Sequence, residues 1–238
     1  MSVQGPRQLS LSVRLDDRAT FANYFTVPGS SNEQARSALQ NIDSPDFIYL
    51  WGRAGTGRSH LLQALCREFP GRWIYLPLTE LVQDDPVNVL EGLDSMDMLA
   101  LDDLDSVVSQ AGWSEQIFHL YNRLQQQGKV LVVSASCAPA EIQTPLADLQ
   151  SRLSAMQVFR LQSLSDNQLQ DALRLRARFR GFDLPRPVAE YLLRHFPRSI
   201  QHQIEFLDQL DLGSLEAKRK LSIPLVKELL LKQGVEYE

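Results

Sequence analysis

One short stretch, residues 52–59, constrains the fold of this chain more than any other. It reads Gly52-Arg53-Ala54-Gly55-Thr56-Gly57-Arg58-Ser59 and fits a phosphate-binding loop with arginine in the usual lysine position. Glycines let such a loop curl until its backbone N–H groups face phosphate oxygens, and the following helix adds its positive end. The apolar run 47–51 precedes the loop, and a predicted helix, 59–69, follows it. The sequence therefore predicts binding of a nucleoside di- or triphosphate between a strand and a helix.

Arg58 is the departure from the usual loop, and the change is chemically significant. A guanidinium is planar and bidentate, whereas the usual ammonium is a compact point charge. We expect Arg58 to hold a phosphate without bridging the β- and γ-phosphates as lysine does. Ser59 follows it and can offer its hydroxyl to Mg²⁺. The loop therefore predicts diphosphate binding with weak or no intrinsic hydrolysis.

An acidic pair, Asp102 and Asp103, follows the apolar run 98–101. In doubly wound sheets such a pair lies beside the phosphate loop, because parallel strands end at the same edge. We expect Asp102 to orient Mg²⁺, directly or through water, and Asp103 to polarise an attacking water if hydrolysis occurs. The alternative is that the two aspartates only begin a turn.

Small polar residues follow the β-branched run 130–133. A hydroxyl at such a strand end is in a position to sense the γ-phosphate or its attacking water. Ser136 is the first candidate for this role and Ser134 the second. The alternative for either serine is a loop hydroxyl that is satisfied by its neighbours.

The order of apolar runs predicts the fold class and the domains. Strand-like and helix-like segments alternate as far as residue 162, which is typical of a three-layer αβα domain with a mostly parallel sheet. Helical segments dominate beyond that point. We therefore predict a tail at 1–20, a nucleotide-binding αβα domain at 21–162 and a small C-terminal helical domain at 163–238.

Composition excludes several other classes of protein. The net charge of −5 argues against a dedicated nucleic-acid binder, which usually carries a basic face. The two cysteines and four histidines show no metal-ligand spacing. No charge-free apolar stretch is long enough to span a membrane, and we expect a cytoplasmic protein.

Several motifs recur in an order that resembles the AAA+ ATPases and, within them, the bacterial replication initiator DnaA. The resemblance covers roughly residues 20–210. It is carried by these stretches: Phe21-Ala22-Asn23-Tyr24-Phe25, the phosphate loop with Ser59-His60-Leu61-Leu62, Leu101-Asp102-Asp103, Glu115-Gln116-Ile117-Phe118-His119, Ser151-Arg152-Leu153 and Arg198. The helical domain would then be the AAA+ lid, and His60 would join the nucleotide-binding residues.

Two differences from DnaA favour one group among the proteins that resemble it. DnaA carries a basic helix-turn-helix domain after the lid, whereas this chain ends in acidic residues at Glu238. Together with Arg58, this ending resembles the DnaA-homologous regulatory inactivators of DnaA.

The resemblance implies roles for two arginines. Arg152 would be an arginine finger that acts in trans, beside the γ-phosphate bound to another subunit. Arg198 would be the lid arginine that contacts the chain's own nucleotide. ADP with Mg²⁺ is the expected ligand from the family, although the sequence leaves the base open. The alternative for Arg152 is an ordinary surface arginine near a strand start.

The tail resembles the short peptide by which proteins dock onto the bacterial sliding clamp. Gln8 would occupy a polar subsite, and Leu9 and Leu11 would occupy an apolar pocket. The implied partners are DnaA and the sliding clamp of DNA polymerase III, with DNA contacted indirectly or weakly and self-association left open. The alternating polar and apolar residues also suit an edge strand.

The resemblance therefore implies a negative regulator of replication initiation that stimulates hydrolysis of DnaA-bound ATP while docked on DNA-loaded clamp. Two alternatives remain at this stage. One is an autonomous AAA+ ATPase, such as a helicase loader or clamp-loader-like protein. The other is a scaffold that nucleotide only stabilises.

Overall fold

The computed structural model describes residues 19–43, 45–195, 207 and 221–232, with backbone alone at 229–232. Contacts divide the described residues into two units. The first holds the residues up to Phe21 together with Thr26–Gln162, and the second holds Ala22–Phe25 and the residues from Ser163 onward. The predicted clamp-docking residues Gln8, Leu9 and Leu11 lie outside the described residues, as does Arg198.

A five-stranded parallel sheet forms the centre of the first unit. The strands are β1 (Phe47–Trp51), β2 (Trp73–Pro77), β3 (Met98–Asp102), β4 (Val130–Ala135) and β5 (Gln157–Arg160). They lie in the order β2-β3-β4-β1-β5. The central strands β3 and β4 are buried along their whole length. Burial on both faces explains why these strands read as continuous apolar runs.

Helices cover both faces of this sheet. They are α1 (Ser31–Gln40), α2 (Arg58–Glu68), α3 (Pro86–Leu90), α4 (Ala111–Gln126) and α5 (Ala147–Ser154). The chain crosses the sheet in one direction from β1 to β2 and returns in the other direction from β2 to β5. Because parallel crossovers are right-handed, α2 lies on one face and α3, α4 and α5 lie on the other. Contacts between α1 and α2, and between α4 and its neighbours α3 and α5, agree with these layers. The predicted three-layer αβα class is confirmed.

The second unit contains three described helices: α6 (Asp166–Phe179), α7 (Arg186–His195) and α8 (Ile223–Lys232). Ser165 begins α6 with a capping box, because its hydroxyl accepts the Gln168 N–H while the Gln168 side chain accepts the Ser165 N–H. A separate apolar core joins the helices and includes Leu173, Val188 and Leu192. No helix in the described ranges is long and apolar enough to cross a membrane.

Candidate functional site

The five strands end at one edge of the sheet, called the loop edge here, and begin at the other, called the strand-start edge. At the loop edge, Gly52 follows β1, and its N–H donates to the Ala135 carbonyl over 3.3 Å. A Cβ atom at Gly52 would lie 2.6 Å from the Leu161 carbonyl oxygen and 2.9 Å from Thr56 Oγ1. Glycine is therefore required here for close backbone packing.

Beyond Gly52 the chain curls into the start of α2. Gly55 and Gly57 have φ angles of +81° and +90°, in the left-handed region that glycine adopts without strain. Thr56 closes the turn, since its N–H and its hydroxyl donate to the Arg53 carbonyl over 3.2 and 2.8 Å. The first N–H groups of α2 have no acceptor within the helix. The geometry fits the phosphate groups of a nucleotide.

Arg58, the first residue of α2, lies folded against the acidic motif. Its Nη2 atom is 2.8 Å from Asp103 Oδ1, and only 12% of its side chain is exposed. Its Nη1 atom is buried and has no hydrogen-bond acceptor among the described residues. A buried cationic donor without an acceptor is costly, and an anionic ligand would satisfy it. This unsatisfied donor supports the fit of the loop to a phosphate.

Asp102 is buried at the end of β3, with both carboxylate oxygens bound by hydroxyl groups. Tyr75 donates to Oδ2 over 2.6 Å, and Ser134 donates to Oδ1. Gln63 of α2 donates to the same Tyr75 hydroxyl over 3.2 Å. Burial raises the pKa of Tyr75, which keeps this phenol a donor. Since both oxygens are engaged, the arrangement favours a water-mediated role for Asp102 toward Mg²⁺ over a direct one.

Asp103 has a strained backbone and a fixed position. Its φ of +54° makes it the one non-glycine residue with positive φ in the described ranges. Its N–H donates to Ser134 Oγ over 2.9 Å, and its carbonyl accepts the Ser106 hydroxyl over 2.7 Å. Burial and the neighbouring Asp102 raise the pKa of Asp103, against the opposing effect of Arg58.

The two candidate sensor serines are both engaged with acidic residues. Ser134 is fully buried and joins Asp102 to Asp103, as described above. Ser136 is exposed, and its hydroxyl and its N–H donate to the Asp105 carboxylate. Asp105 and Tyr75 were not among the site residues predicted from the sequence. The pairing register of β2 with β3 places Tyr75 opposite Ala100. Tyr75 therefore shares the sheet face of Asp102, two residues after Ala100.

His60 lies in the first turn of α2 and contacts residue 20 of the same unit. Its Nε2 atom is 2.9 Å from the Thr20 carbonyl oxygen, which only accepts. Nε2 therefore carries the proton in this contact. The ring ties the loop-edge helix to residue 20. Ser59, the candidate Mg²⁺ ligand next to it, is partly buried. Within the described ranges, no three His, Cys, Asp or Glu side chains are grouped to hold a metal ion.

Arg152 lies away from the loop edge. It is exposed in the last turn of α5, with its guanidinium carbon 5.9 Å from the centre of the Tyr121 ring. Tyr121 in turn stacks on Phe47, with ring centres 4.7 Å apart. Phe47 is the first residue of β1, and Gly52 is the residue after its last. Phe47 and Gly52 are therefore roughly 16 Å apart along an extended strand. The structure therefore brings together the loop, Arg58, the acidic pair and both serines, and separates Arg152 from them.

Two segments of the chain match protein-family models. Residues 75–159 match the bacterial DnaA ATPase domain, and residues 166–230 match the lid domain of Hda. The first segment begins within β2 and ends within β5, and the second covers α6, α7 and α8 as far as residue 230.

Solved structures share the fold. Domain III of the replication initiation protein DnaA from Thermotoga maritima matches with a TM-score of 0.74 at 20% identity, over 92% of this chain and 98% of that one. AMPPCP-bound DnaA from Aquifex aeolicus matches with a TM-score of 0.66 at 23% identity, over 86% of this chain and 69% of that one. The Holliday junction branch migration motor RuvB from T. maritima matches with a TM-score of 0.66 at 14% identity, over 92% of this chain and 73% of that one.

Proposed function

Because the chain is a DnaA/Hda-like AAA+ protein, we propose that it is a negative regulator of DNA replication initiation. In this proposal it binds a nucleoside diphosphate, docks on the DNA-loaded sliding clamp and stimulates hydrolysis of the ATP bound to DnaA. The stimulation depends on Arg152 as an arginine finger. The chain itself hydrolyses ATP weakly or not at all.

The observation that carries this proposal is the position of Arg152. It is exposed at the strand-start edge, held by Tyr121, about the length of a strand from its own phosphate loop. An arginine in this place is accessible to a neighbouring protein and distant from its own site. Beside a partner's γ-phosphate, its charge would stabilise the transition state, an effect of about 10³ to 10⁵ in rate where arginine fingers are well studied.

The loop edge supports the chain's own nucleotide site. Backbone N–H groups of residues 53–60 and Arg58 would hold the phosphates, and the family resemblance assigns a contact with the nucleotide to Arg198. Ser59 and, through water, Asp102 would hold Mg²⁺, which supplies charge neutralisation between phosphates. Two of the DnaA structures that share the fold contain AMPPCP, which supports an adenine nucleotide, ADP in this proposal.

Weak hydrolysis by the chain itself follows from Arg58, which would hold a phosphate without bridging the β- and γ-phosphates as lysine does. Both Asp102 oxygens are bound by hydroxyl groups, so Asp102 is not poised to accept a proton from water. The clamp-docking role of Gln8, Leu9 and Leu11 rests on the sequence pattern, and contact with DNA would be indirect.

The test is single-turnover hydrolysis of ATP bound to DnaA, measured with and without DNA-loaded clamp. Wild type should stimulate hydrolysis only with the clamp, and Arg152→Ala should reduce that stimulation at least about a hundredfold. A Gln8→Ala/Leu9→Ala variant should need far more protein for the same rate, because it loses local concentration on the clamp. Undiminished stimulation by Arg152→Ala would refute the finger, and equal rates with and without clamp would refute the docking.

A further inference from the structure

The phosphate-loop arginine already has an anionic partner within the protein. Arg58 Nη2 lies 2.8 Å from Asp103 Oδ1, and the two side chains are 12% and 29% exposed. Arg58 begins the helix after the loop, and Asp103 directly follows β3. The same guanidinium would hold a bound phosphate, which offers anionic oxygens in a geometry similar to that of the carboxylate.

The pairing leaves part of the guanidinium unsatisfied. Arginine has five N–H donors, and the buried Nη1 atom of Arg58 has no acceptor among the residues that the structure describes. A phosphate group, with several anionic oxygens, would satisfy more of these donors than one carboxylate oxygen does. A phosphate that engages both Nη atoms would draw Nη2 away from Asp103 and break that contact.

The backbone of Asp103 is held by contacts that do not depend on the arginine. Its backbone is fixed by the N–H bond to Ser134 and by the Ser106 hydroxyl on its carbonyl, and neither contact involves Arg58. The carboxylate therefore remains beside the loop as a permanent alternative partner.

We propose that Asp103 competes with the nucleotide for Arg58 and thereby sets the affinity of the phosphate loop for nucleoside diphosphates. This inference rests on the proposed nucleotide binding. If Arg58 is paired with Asp103 most of the time, the apparent affinity for the nucleotide is the intrinsic affinity multiplied by the fraction of time in which Arg58 is free. In this account Asp103 is a positioning residue that limits affinity, and it acts through Arg58 rather than on the substrate.

The test measures ADP affinity by calorimetry in EDTA, which removes any contribution of Mg²⁺. Asp103→Asn keeps the shape of the side chain and removes its charge, and it should bind ADP about tenfold more tightly than wild type. Asp105→Asn is the matched control. It removes an acid of the same turn that pairs with Ser136 instead of Arg58, and its affinity should stay within about twofold of wild type.

A second comparison separates competition from simple charge repulsion. Asp103→Asn is repeated in an Arg58→Gln background, at protein concentrations that resolve millimolar affinities. Competition predicts that the gain in affinity disappears there, whereas repulsion between Asp103 and phosphate predicts the same gain in both backgrounds. The competition is overturned if Asp103→Asn raises the ADP affinity equally in both backgrounds. It is also overturned if Asp103→Asn gives no gain in the protein that retains Arg58. In either case ADP binding by wild type would leave the proposed function standing, whereas no binding by wild type and by Asp103→Asn would overturn both.

Discussion

The two edges of the sheet hold their charged side chains in different ways. At the loop edge, Asp102 is buried between two hydroxyl donors, and Arg58 is folded onto Asp103. At the strand-start edge, the partly exposed Asp97 accepts from Lys129 Nζ over 2.8 Å and from the Arg72 N–H over 2.9 Å. These contacts at the loop edge lie beside the phosphate loop and are largely buried. Those at the strand-start edge lie at the surface and fix where strands begin.

The difference teaches how one sheet supports two separate roles. Parallel strands collect helix starts and loop amides at one edge, which favours an anion. The opposite edge carries helix ends, and α5 places Arg152 there on an aromatic support. The chain therefore presents a candidate binding site at one edge and an accessible arginine at the other. We pair each change at one edge with a matched control variant.

The largest expected effect comes from Gly52→Ala. The added Cβ would lie 2.6 Å from the Leu161 carbonyl, and a backbone atom has to move to make room. We expect a loss of about 1–3 kcal/mol in the free energy of unfolding, measured by urea denaturation, together with weaker ADP binding.

Gly112→Ala is the matched control for this change. Gly112 lies in the first turn of α4, and a Cβ there would come no closer than 3.5 Å to a neighbouring atom, Pro86 Cγ. Alanine should leave stability unchanged or raise it by up to about 1 kcal/mol. Equal losses from both substitutions would contradict the tight packing inferred at Gly52.

A smaller effect is expected from removing a single hydroxyl at the loop edge. Tyr75→Phe takes a buried donor from Asp102, and we expect the free energy of unfolding to fall by about 1–2 kcal/mol. Tyr121→Phe keeps the ring that Arg152 and Phe47 contact, and the Tyr121 hydroxyl has no hydrogen bond to a described residue. That control should change stability by less than about 0.5 kcal/mol. Equal urea midpoints for the two variants would argue against the Asp102 network.

The smallest effect concerns pH and the strand-start edge. Hydrogen bonds from Lys129 and from the Arg72 N–H lower the pKa of Asp97 to about 2. Because the folded pKa lies below the unfolded value, the stabilisation is complete above about pH 4 and is lost as the pH falls toward 2. The melting temperature of wild type should therefore fall more steeply over this range than that of Asp97→Asn.

Asp84→Asn is the control for the pH experiment. Asp84 is exposed, and its side chain makes no hydrogen bond or ion pair with the residues that the structure describes. Its melting curve should follow wild type throughout. If Asp97→Asn also kept the full wild-type slope between pH 4 and 2, the Asp97 contacts would contribute nothing to acid sensitivity.

The sequence predicts the loop edge better than the rest of the molecule. Continuous apolar runs mark the buried strands, and the phosphate loop and acidic pair follow two of them, so their proximity follows from parallel pairing alone. The helices α1, α3 and α5 were not predicted. They are short or mostly polar, and they depend on N-terminal caps. For example, the Ser30 side chain accepts the Glu33 N–H, and the Asp85 side chain accepts the Val87 N–H.

Side-chain pairings were not predictable from the sequence for a different reason. The contact of Arg58 with Asp103 depends on a left-handed backbone at Asp103, which no local pattern specifies. The support of Arg152 by Tyr121 joins two helices through tertiary packing. The finger itself was suggested only by the family resemblance, and its role stays a prediction.

The most direct test of the account compares two arginines that differ chiefly in their edge. Arg152 lies over Tyr121 at the strand-start edge, and Arg160, also exposed, lies over Trp51 at the end of β5, with its guanidinium carbon 5.0 Å from the ring centre. Hydrolysis of DnaA-bound ATP on DNA-loaded clamp should be lost with Arg152→Ala and kept with Arg160→Ala, while Arg152→Ala binds ADP as wild type does. Full stimulation by Arg152→Ala, or a parallel loss of its ADP affinity, would contradict the separation of roles between the two edges.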